Sequence, residues 1–224
     1  MYILLAAATT FEIQPVTSQG LPLETDILIT GVGSMATTWS LMRQIGRKRP
    51  DMIIQAGIAG CFTHKRPGEV VAIKEEYLAD LGVQENGRFR TLFDLNLTGP
   101  DTPPFSGGML VNPYKRLLDL SGLEQVRATT VNEITTAPDR IQWLQQNTAP
   151  VVESMEGGGL HYVCLQENIP FLQLRSVSNA IGERDKAKWD IKGAISSLNT
   201  RLIDLLAKLA ALDEKLIMTM THKK

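Results

Sequence analysis

Hydrophobic positions along this chain follow two periods. Apolar-rich stretches closed by turn-forming residues predict strands, the first of them fully buried, whereas a row at three- and four-residue spacing predicts a helix lying across them. The runs are Tyr2 to Ala8, Asp26 to Thr30, Met52 to Gln55 and Phe171 to Val177, with Val151-Val152 a shorter one. The helical row is Ile191, Ile195, Leu198, Leu202, Leu205, Leu206, Leu209 and Leu212, with Asp190 as its N-cap and a tail expected to fray beyond Leu216. A second helix is predicted from Gly31-Val32-Gly33-Ser34 to about Arg47, a third from Asn112-Pro113 to Leu120 where Gly122 ends it, and a fourth from Ala137 to Gln146 with Pro138 in its first turn. Glu69 to Ala79 and Val126 to Ile134 read as extended, and Gln55 is followed by a small glycine-spaced turn, Ala56-Gly57-Ile58-Ala59-Gly60. Residues 13 to 26 are polar and punctuated by Gly and Pro, which predicts a surface loop or hairpin-like excursion. Residues 82 to 108 read as a long loop held down by Phe89, Phe93 and Phe105. Strands alternating with helices define an α/β protein, and 224 residues fit one domain, 1–224.

Composition narrows the classes of function. Hydrophobic residues make up 43%, enough for a sheet covered on both faces. Lys plus Arg is 23 against 24 for Asp plus Glu, so the chain has no electrostatic footprint for nucleic acid. Cys61 and Cys164 sit in apolar surroundings and read as buried free thiols of a reducing compartment. The first residues lack the basic start of a signal peptide, and no run reaches the apolar length of a membrane span, so a soluble cytoplasmic protein without a membrane partner is expected. Only His64, His161 and His222 are available as histidines, without a cysteine pair or an HExxH pattern, and no metal or cofactor is expected.

The chemistry gathers at the ends of the predicted strands. Val151 to Asp185 reads as strand, carboxylate, helix, second strand and polar loop, and would bring Glu156, Arg175, Ser178 and Asn179 to one crevice at the carboxyl ends of the sheet. Glu12 follows the first strand and is either a member of that crevice or a surface glutamate. Arg175 interrupts a strand, as an ion-pair partner or as a solvated edge residue, while Met155 is a site residue or simple packing. His161, inside the helix after Glu156, reads as packed. Gly31-Val32-Gly33-Ser34-Met35-Ala36 has the spacing of a dinucleotide fingerprint, but an acidic residue should end the next strand, and the candidate Asp51 precedes it. Backbone lining a smaller nucleoside or phosphate site is the better reading of those glycines.

Taken in order, Glu12, Gly31-Val32-Gly33, Gln55-Ala56-Gly57-Ile58-Ala59-Gly60, Pro67-Gly68-Glu69-Val70-Val71, Met155-Glu156-Gly157 and Arg175-Ser176-Val177-Ser178-Asn179 resemble the purine nucleoside phosphorylase and nucleosidase superfamily, in its methylthioadenosine/adenosylhomocysteine nucleosidase branch. The Ser-Met-Glu-Gly segment and the run through Gly182-Glu183-Arg184-Asp185-Lys186 and Trp189 are most similar to the futalosine hydrolases. The resemblance implies a three-layer α/β/α fold with a mixed central sheet, a purine nucleoside as substrate, and a homodimer or higher homo-oligomer. It also implies cleavage of an N-glycosidic bond through an oxocarbenium-like sugar. Glu12 would then draw a proton from the attacking water, and Glu156 would accept from the sugar hydroxyls. Gly57, Met155, Ser178 and Ile134 would line the substrate and Arg175 would brace a carboxylate or loop. The loop Ala7-Ala8-Thr9-Thr10-Phe11-Glu12 has neither the glycine nor the arginine that the superfamily's phosphorylases use for phosphate, which favours water as nucleophile. Asn179 stands where adenine-releasing members have aspartic acid, and a neutral amide suits the O6/N7 edge of a 6-oxopurine. The proton for the leaving base has Asp185 as nominee, and Ile134 near the usual stacking position leaves Phe89, Phe93 or Phe105 to stack on the base.

Overall fold

The computed structural model describes residues 1–18, 20–21, 24–63 and 66–212. His64, His222 and the tail beyond Leu216 lie outside the described residues. The strands are β1 (Tyr2–Ala7), β2 (Glu24–Ile29), β3 (Met52–Cys61), β4 (Val70–Leu78), β5 (Gly82–Glu85), β6 (Arg88–Thr91), β7 (Leu110–Val111), β8 (Glu124–Thr130), β9 (Val152–Ser154) and β10 (Phe171–Ala180). The helices are α1 (Thr10–Thr17), α2 (Ser34–Arg47), α3 (Lys115–Ser121), α4 (Pro138–Asn147), α5 (Gly157–Glu167) and α6 (Ile191–Ala210).

The central sheet is mixed, in the order β10-β4-β8-β9-β3-β1-β2 with β7 beside β4, and it closes partly on itself because β10 also pairs with β3. β1 lies parallel to β2 and β3, whereas β10 runs antiparallel to β4 and β9 antiparallel to β3. The ten-residue β3 makes the closure possible. One of its edges takes β1 at Met52–Gln55 and β9 at Gly60 and Cys61, and the other takes β10 from Ile53 to Cys61. The glycine-spaced turn expected after Gln55 is therefore a continuation of the strand. Its glycines are dictated by close approach: a Cβ on Gly57 would lie 2.4 Å from Arg175 Nη1, and one on Gly60 2.5 Å from Ile181 Cδ1.

α1, α3 and α6 pack on one face of the sheet and α2 and α5 on the other, giving three layers. From Ile195 to Leu209 the apolar row of α6 is buried as its spacing predicts, with Ile191 and Leu212 half-buried at its ends, and Asp190 caps the helix by accepting from Gly193 N–H. Most of its buried leucines join those of β1, β3 and β10 in the principal core. Tyr114, Phe171 and His161 stack edge to face within the same interior. Both cysteines are buried and free. No helix among the described residues is long and apolar enough to cross a membrane.

Two stretches depart from expectation. Residues 10–17 form a helix instead of a loop, despite Pro15 inside it. A proline there removes a donor and crowds the preceding turn, and the helix is held by neighbours: Ile13 and Val16 are buried, and Asn199 of α6 reaches in. Asn199 accepts from Val16 N–H at 3.0 Å and donates to the Glu12 carbonyl at 2.8 Å, bridging the two groups that an undisturbed helix joins to each other. Within 82–108, β5 and β6 form a small hairpin. Phe93 packs on Phe105, Phe105 on Tyr162, and Phe89 on Trp143.

Candidate active site

Glu12 enters the site because of how α1 begins. Thr9 is its N-cap, and Glu12, three residues on, accepts at Oε2 from both the Thr9 N–H (3.0 Å) and the Thr9 hydroxyl (3.1 Å). Its other oxygen accepts from Ile58 N–H at 3.1 Å, across on β3. The carboxylate is buried against the open face of Gly57, where a Cβ would lie 2.9 Å from Oε1.

Glu156 is the N-cap residue of α5, directly after β9. Its Oε1 accepts from Gly33 N–H at 3.2 Å, and its Oε2 pairs with Arg175 Nη1 at 3.2 Å. Arg175 is 1% exposed. Its guanidinium also donates to the Ile58 carbonyl (3.4 Å) and to Gln55 Oε1 (3.2 Å), so it is a buried ion-pair partner and not a solvated edge residue. The glycines Gly31 and Gly33 take positive φ at the turn into α2; the Gly33 N–H meets the Glu156 carboxylate, while the Gly31 N–H bonds the Ala8 carbonyl. Asp51 instead accepts from Tyr2 N–H, at the opposite end of the strands.

The helix start that carries Glu156 is crowded from three sides, which accounts for three consecutive glycines. A Cβ on Gly157 would stand 2.4 Å from both Glu76 Oε2 and Gln173 Nε2, one on Gly158 2.3 Å from Leu78 Cδ2, and one on Gly159 2.8 Å from the Ser34 carbonyl. Thr130 ties the turn down: its hydroxyl accepts from Gly158 N–H at 2.7 Å and donates to Glu76 Oε1 at 2.6 Å. Glu76 is fully buried, and burial pushes its carboxyl up to about 7 in spite of the Thr130 bond and the Arg175 charge. His161 is buried on the same helix with Nδ1 against the Leu110 carbonyl (2.9 Å), and desolvation drives it down to about 4, so it is a neutral packed histidine.

A cavity of about 250 Å3 opens at the ends of β3, β9 and β10. Ile134, Met155, Glu156, Ser178 and Asn179 line it. Glu12, Gly57 and Arg175 lie behind its wall at Ile58 and Glu156. Asp185 is not on the lining; it is exposed, and its carboxylate accepts from Ala187 N–H in a short 3-10 turn. Phe89, Phe93 and Phe105 are likewise absent from the lining, and the aromatic there is Trp189, whose indole donates to the Glu183 carbonyl and whose ring lies under Arg184. Asn179 is oriented by its own loop, Oδ1 accepting from Ser178 Oγ (2.8 Å) and Nδ2 donating to the Ala180 carbonyl (2.9 Å), which leaves one N–H of the amide for a ligand.

Sequence reasoning missed Glu153 as a wall of this cavity. The residue is buried, and both its oxygens accept from Thr135, from the N–H at 3.0 Å and the hydroxyl at 2.5 Å. Burial pushes its carboxyl up, while Thr135 and Arg140 draw it back. The one signal in the sequence was a carboxylate inside the short strand before Met155.

The chain belongs to the phosphorylase superfamily, whose family model matches residues 27–211. Within that superfamily it is similar to the futalosine hydrolase of Acidothermus cellulolyticus, 32% identical over 179 residues that cover 77% of this chain and 71% of the relative. It is also similar to the futalosine hydrolase of Streptomyces coelicolor, 30% identical over 87% of this chain and 82% of the relative. Among solved structures, native futalosine hydrolase of Helicobacter pylori superposes with a TM-score of 0.76 at 15% identity, covering 93% of this chain and 98% of the other, a likeness of fold.

Proposed function

We propose that this protein hydrolyses the N-glycosidic bond of futalosine, releasing hypoxanthine and dehypoxanthine futalosine in menaquinone biosynthesis. The observation that carries the reading is the pair of buried carboxylates gathered around Gly57 and Ile58: Glu12 held by Thr9 and Ile58, and Glu156 held by Gly33 and Arg175. In the reaction, water oxygen bonds to the anomeric carbon as the bond to the purine breaks, its electron pair leaving with the base. Glu12 takes the proton of that water. Glu156 accepts from the sugar hydroxyls, and accepts more strongly as the sugar becomes cationic. Met155 packs beside the ribose, and Asn179 donates to the O6/N7 edge of the departing base, with Ser178 fixing the amide.

Water is the nucleophile in this reading, because the first turn of α1, directly after β1, presents the Glu12 carboxylate where an anion would be received. Base release measured by chromatography, with and without phosphate, tests it. Hypoxanthine set free from futalosine in phosphate-free buffer is the expected result; strict phosphate dependence would assign a phosphorylase, and release of adenine only, from methylthioadenosine, would assign the adenine-type nucleosidases.

A row of exposed apolar residues on α2, Met35 (85% exposed), Trp39 (62%) and Met42, supports a homodimer or higher homo-oligomer, which light scattering over a concentration series tests. The two free buried thiols fit a cytoplasmic location.

A further inference from the structure

The geometry points to Glu153 as the residue that, with Asn179, selects a 6-oxopurine, its carboxylate accepting the N1–H of the base. This inference rests on the nucleosidase reading above and goes on to the choice of base.

Gly60 of β3 is paired on one side with Glu153 of β9 and on the other with Asn179 of β10. Residues directly opposite one another in a sheet project to the same face, and neighbouring strands lie about 4.8 Å apart, so the carboxylate and the amide flank Gly60 from bases roughly 10 Å apart. Asn179 Nδ2 lies 3.6 Å from the place a Gly60 Cβ would take, which puts the amide on that face. Ile181 covers Gly60 between them, its Cδ1 2.5 Å from the same point. Glu153, Asn179 and Ile181 all line the cavity of about 250 Å3, with Val131, Ile134 and Trp189 as further apolar wall. Pockets for whole drug-sized ligands run to about 300–1,000 Å3, so this is the size of a compartment for one part of a substrate.

Glu153 has no structural need that a neutral residue could not meet. It forms no ion pair among the described residues, and its two bonds, both to Thr135, hold the carboxylate in one orientation and leave each oxygen a second lone pair. Two charges act on it from outside the cavity, Arg140 of α4 and Asp80, and Arg184 and Glu156 share the cavity wall. A buried carboxylate at a cavity wall with acceptor capacity left over from its two Thr135 bonds is suited to meet one more donor from within the cavity.

The chemistry of the base supplies that donor. Hypoxanthine has acceptors at O6 and N7 and a donor at N1; adenine has a donor at its amine and an acceptor at N1. Asn179 giving a proton to the O6/N7 edge and Glu153 taking one from N1 fit the first pattern. Against adenine, the Glu153 lone pairs would face the N1 lone pair, and two groups would go unsatisfied together.

The test is kcat/KM for a pair of nucleosides that differ only in the 6-substituent, futalosine and its 6-amino counterpart, in the native protein and in Glu153→Gln and Glu153→Met. Gln keeps the shape and can still bond Thr135, whereas Met removes every acceptor. The expected result is a preference for the 6-oxo substrate in the native protein that falls at least about tenfold in both variants, with calorimetric affinity for free hypoxanthine falling relative to adenine in parallel. Equal losses on the two substrates would leave Glu153 a purely structural residue and overturn the inference. A native protein that prefers the 6-oxo substrate, with an unchanged ratio in the variants, would also overturn it while leaving the nucleosidase reading intact; no base released from either nucleoside by the native protein would overturn both.

Discussion

Replacing Arg175 by Met should be among the most damaging single changes in the molecule, for electrostatic reasons and not for lost volume. The guanidinium, itself 1% exposed, holds Glu156 Oε2, Gln55 Oε1 and the Ile58 carbonyl at 3.2–3.4 Å. Methionine refills most of the space but leaves Glu156 as a buried carboxylate with only Gly33 N–H, close to a second buried carboxyl, Glu76. Breaking a buried pair on one side costs about 3–5 kcal/mol. For a chain of this size each kcal/mol lowers Tm by about 2–4 °C, so a fall of roughly 6–20 °C is expected near neutral pH. Thermal unfolding followed by circular dichroism near neutral pH is the assay. Arg175→Lys, which keeps the charge, should lose less than Arg175→Met, which removes it while filling similar space. A Tm of Arg175→Met within 2 °C of the native protein, or an equal loss in the two variants, would refute the reasoning and return Arg175 to the status of ordinary packing.

Glu12→Gln should lower stability by about 1–3 kcal/mol, since the amide fills the same space but its single oxygen can accept from only one of the Thr9 and Ile58 N–H groups, while turnover measured by hypoxanthine release falls at least about a hundredfold through loss of the base; near-normal turnover would remove Glu12 from the mechanism. Gly159→Ala should lower Tm although alanine favours a helix by about 1 kcal/mol, because the added Cβ would stand 2.8 Å from the Ser34 carbonyl, a backbone atom that cannot step aside. A higher Tm in that variant would show that α2 yields freely. Glu76 and His161 oppose each other in pH dependence. Glu76, raised from 4.5 to about 7, binds its proton more tightly when folded, so its contribution is full below about 4.5 and is lost as pH rises to 7. His161, lowered from 6.5 to about 4, binds its proton less tightly when folded, so its contribution is full above about 6.5 and is lost as pH falls to 4. Each amounts to about 3 kcal/mol at 1.36 kcal/mol per pH unit. Between pH 4.5 and 6.5 the two slopes therefore cancel in the native protein. Glu76→Gln removes one of them, so urea unfolding of that variant should show stability rising with pH across this window, and a slope equal to the native one would refute the assignment.

Much of this architecture is legible in hydrophobic rhythm because rhythm reports which face of an element is buried. The spacing of α6, the apolar runs of β1 and β10, and the turn from β2 into α2 all carry that information in the residues themselves. What rhythm does not report is support from elsewhere. α1 carries Pro15 and has little apolar periodicity, and it is a helix because Asn199, 183 residues away, supplies the bonding its own backbone lacks. The long β3 was concealed in the same way: glycines ordinarily end a strand, and here they continue it because Arg175, Glu12 and Ile181 occupy the space their side chains would need.

The candidate site divides along the same line. Glu12, Glu156, Arg175 and Asn179 could be picked from the sequence because a charged or amide residue at the end of an apolar run has no packing reason to be there. Glu153 could not, since a glutamate in a three-residue strand looks like the outward half of an alternation, and only the closure of β9 and β10 around Gly60 turns it inward. Asp185 failed for the converse reason. Its place in a polar loop after Asn179 suggested the cavity, but a carboxylate two residues before a free N–H has a local partner at hand, and it caps the 3-10 turn at Ala187. Local bonding can be satisfied within a few residues and so competes for every polar side chain in a loop; at the cavity the backbone of Ile58 and Gly60 is instead paired across the sheet with Ser176 and Asn179 of β10, which fixes the wall without drawing on a loop side chain.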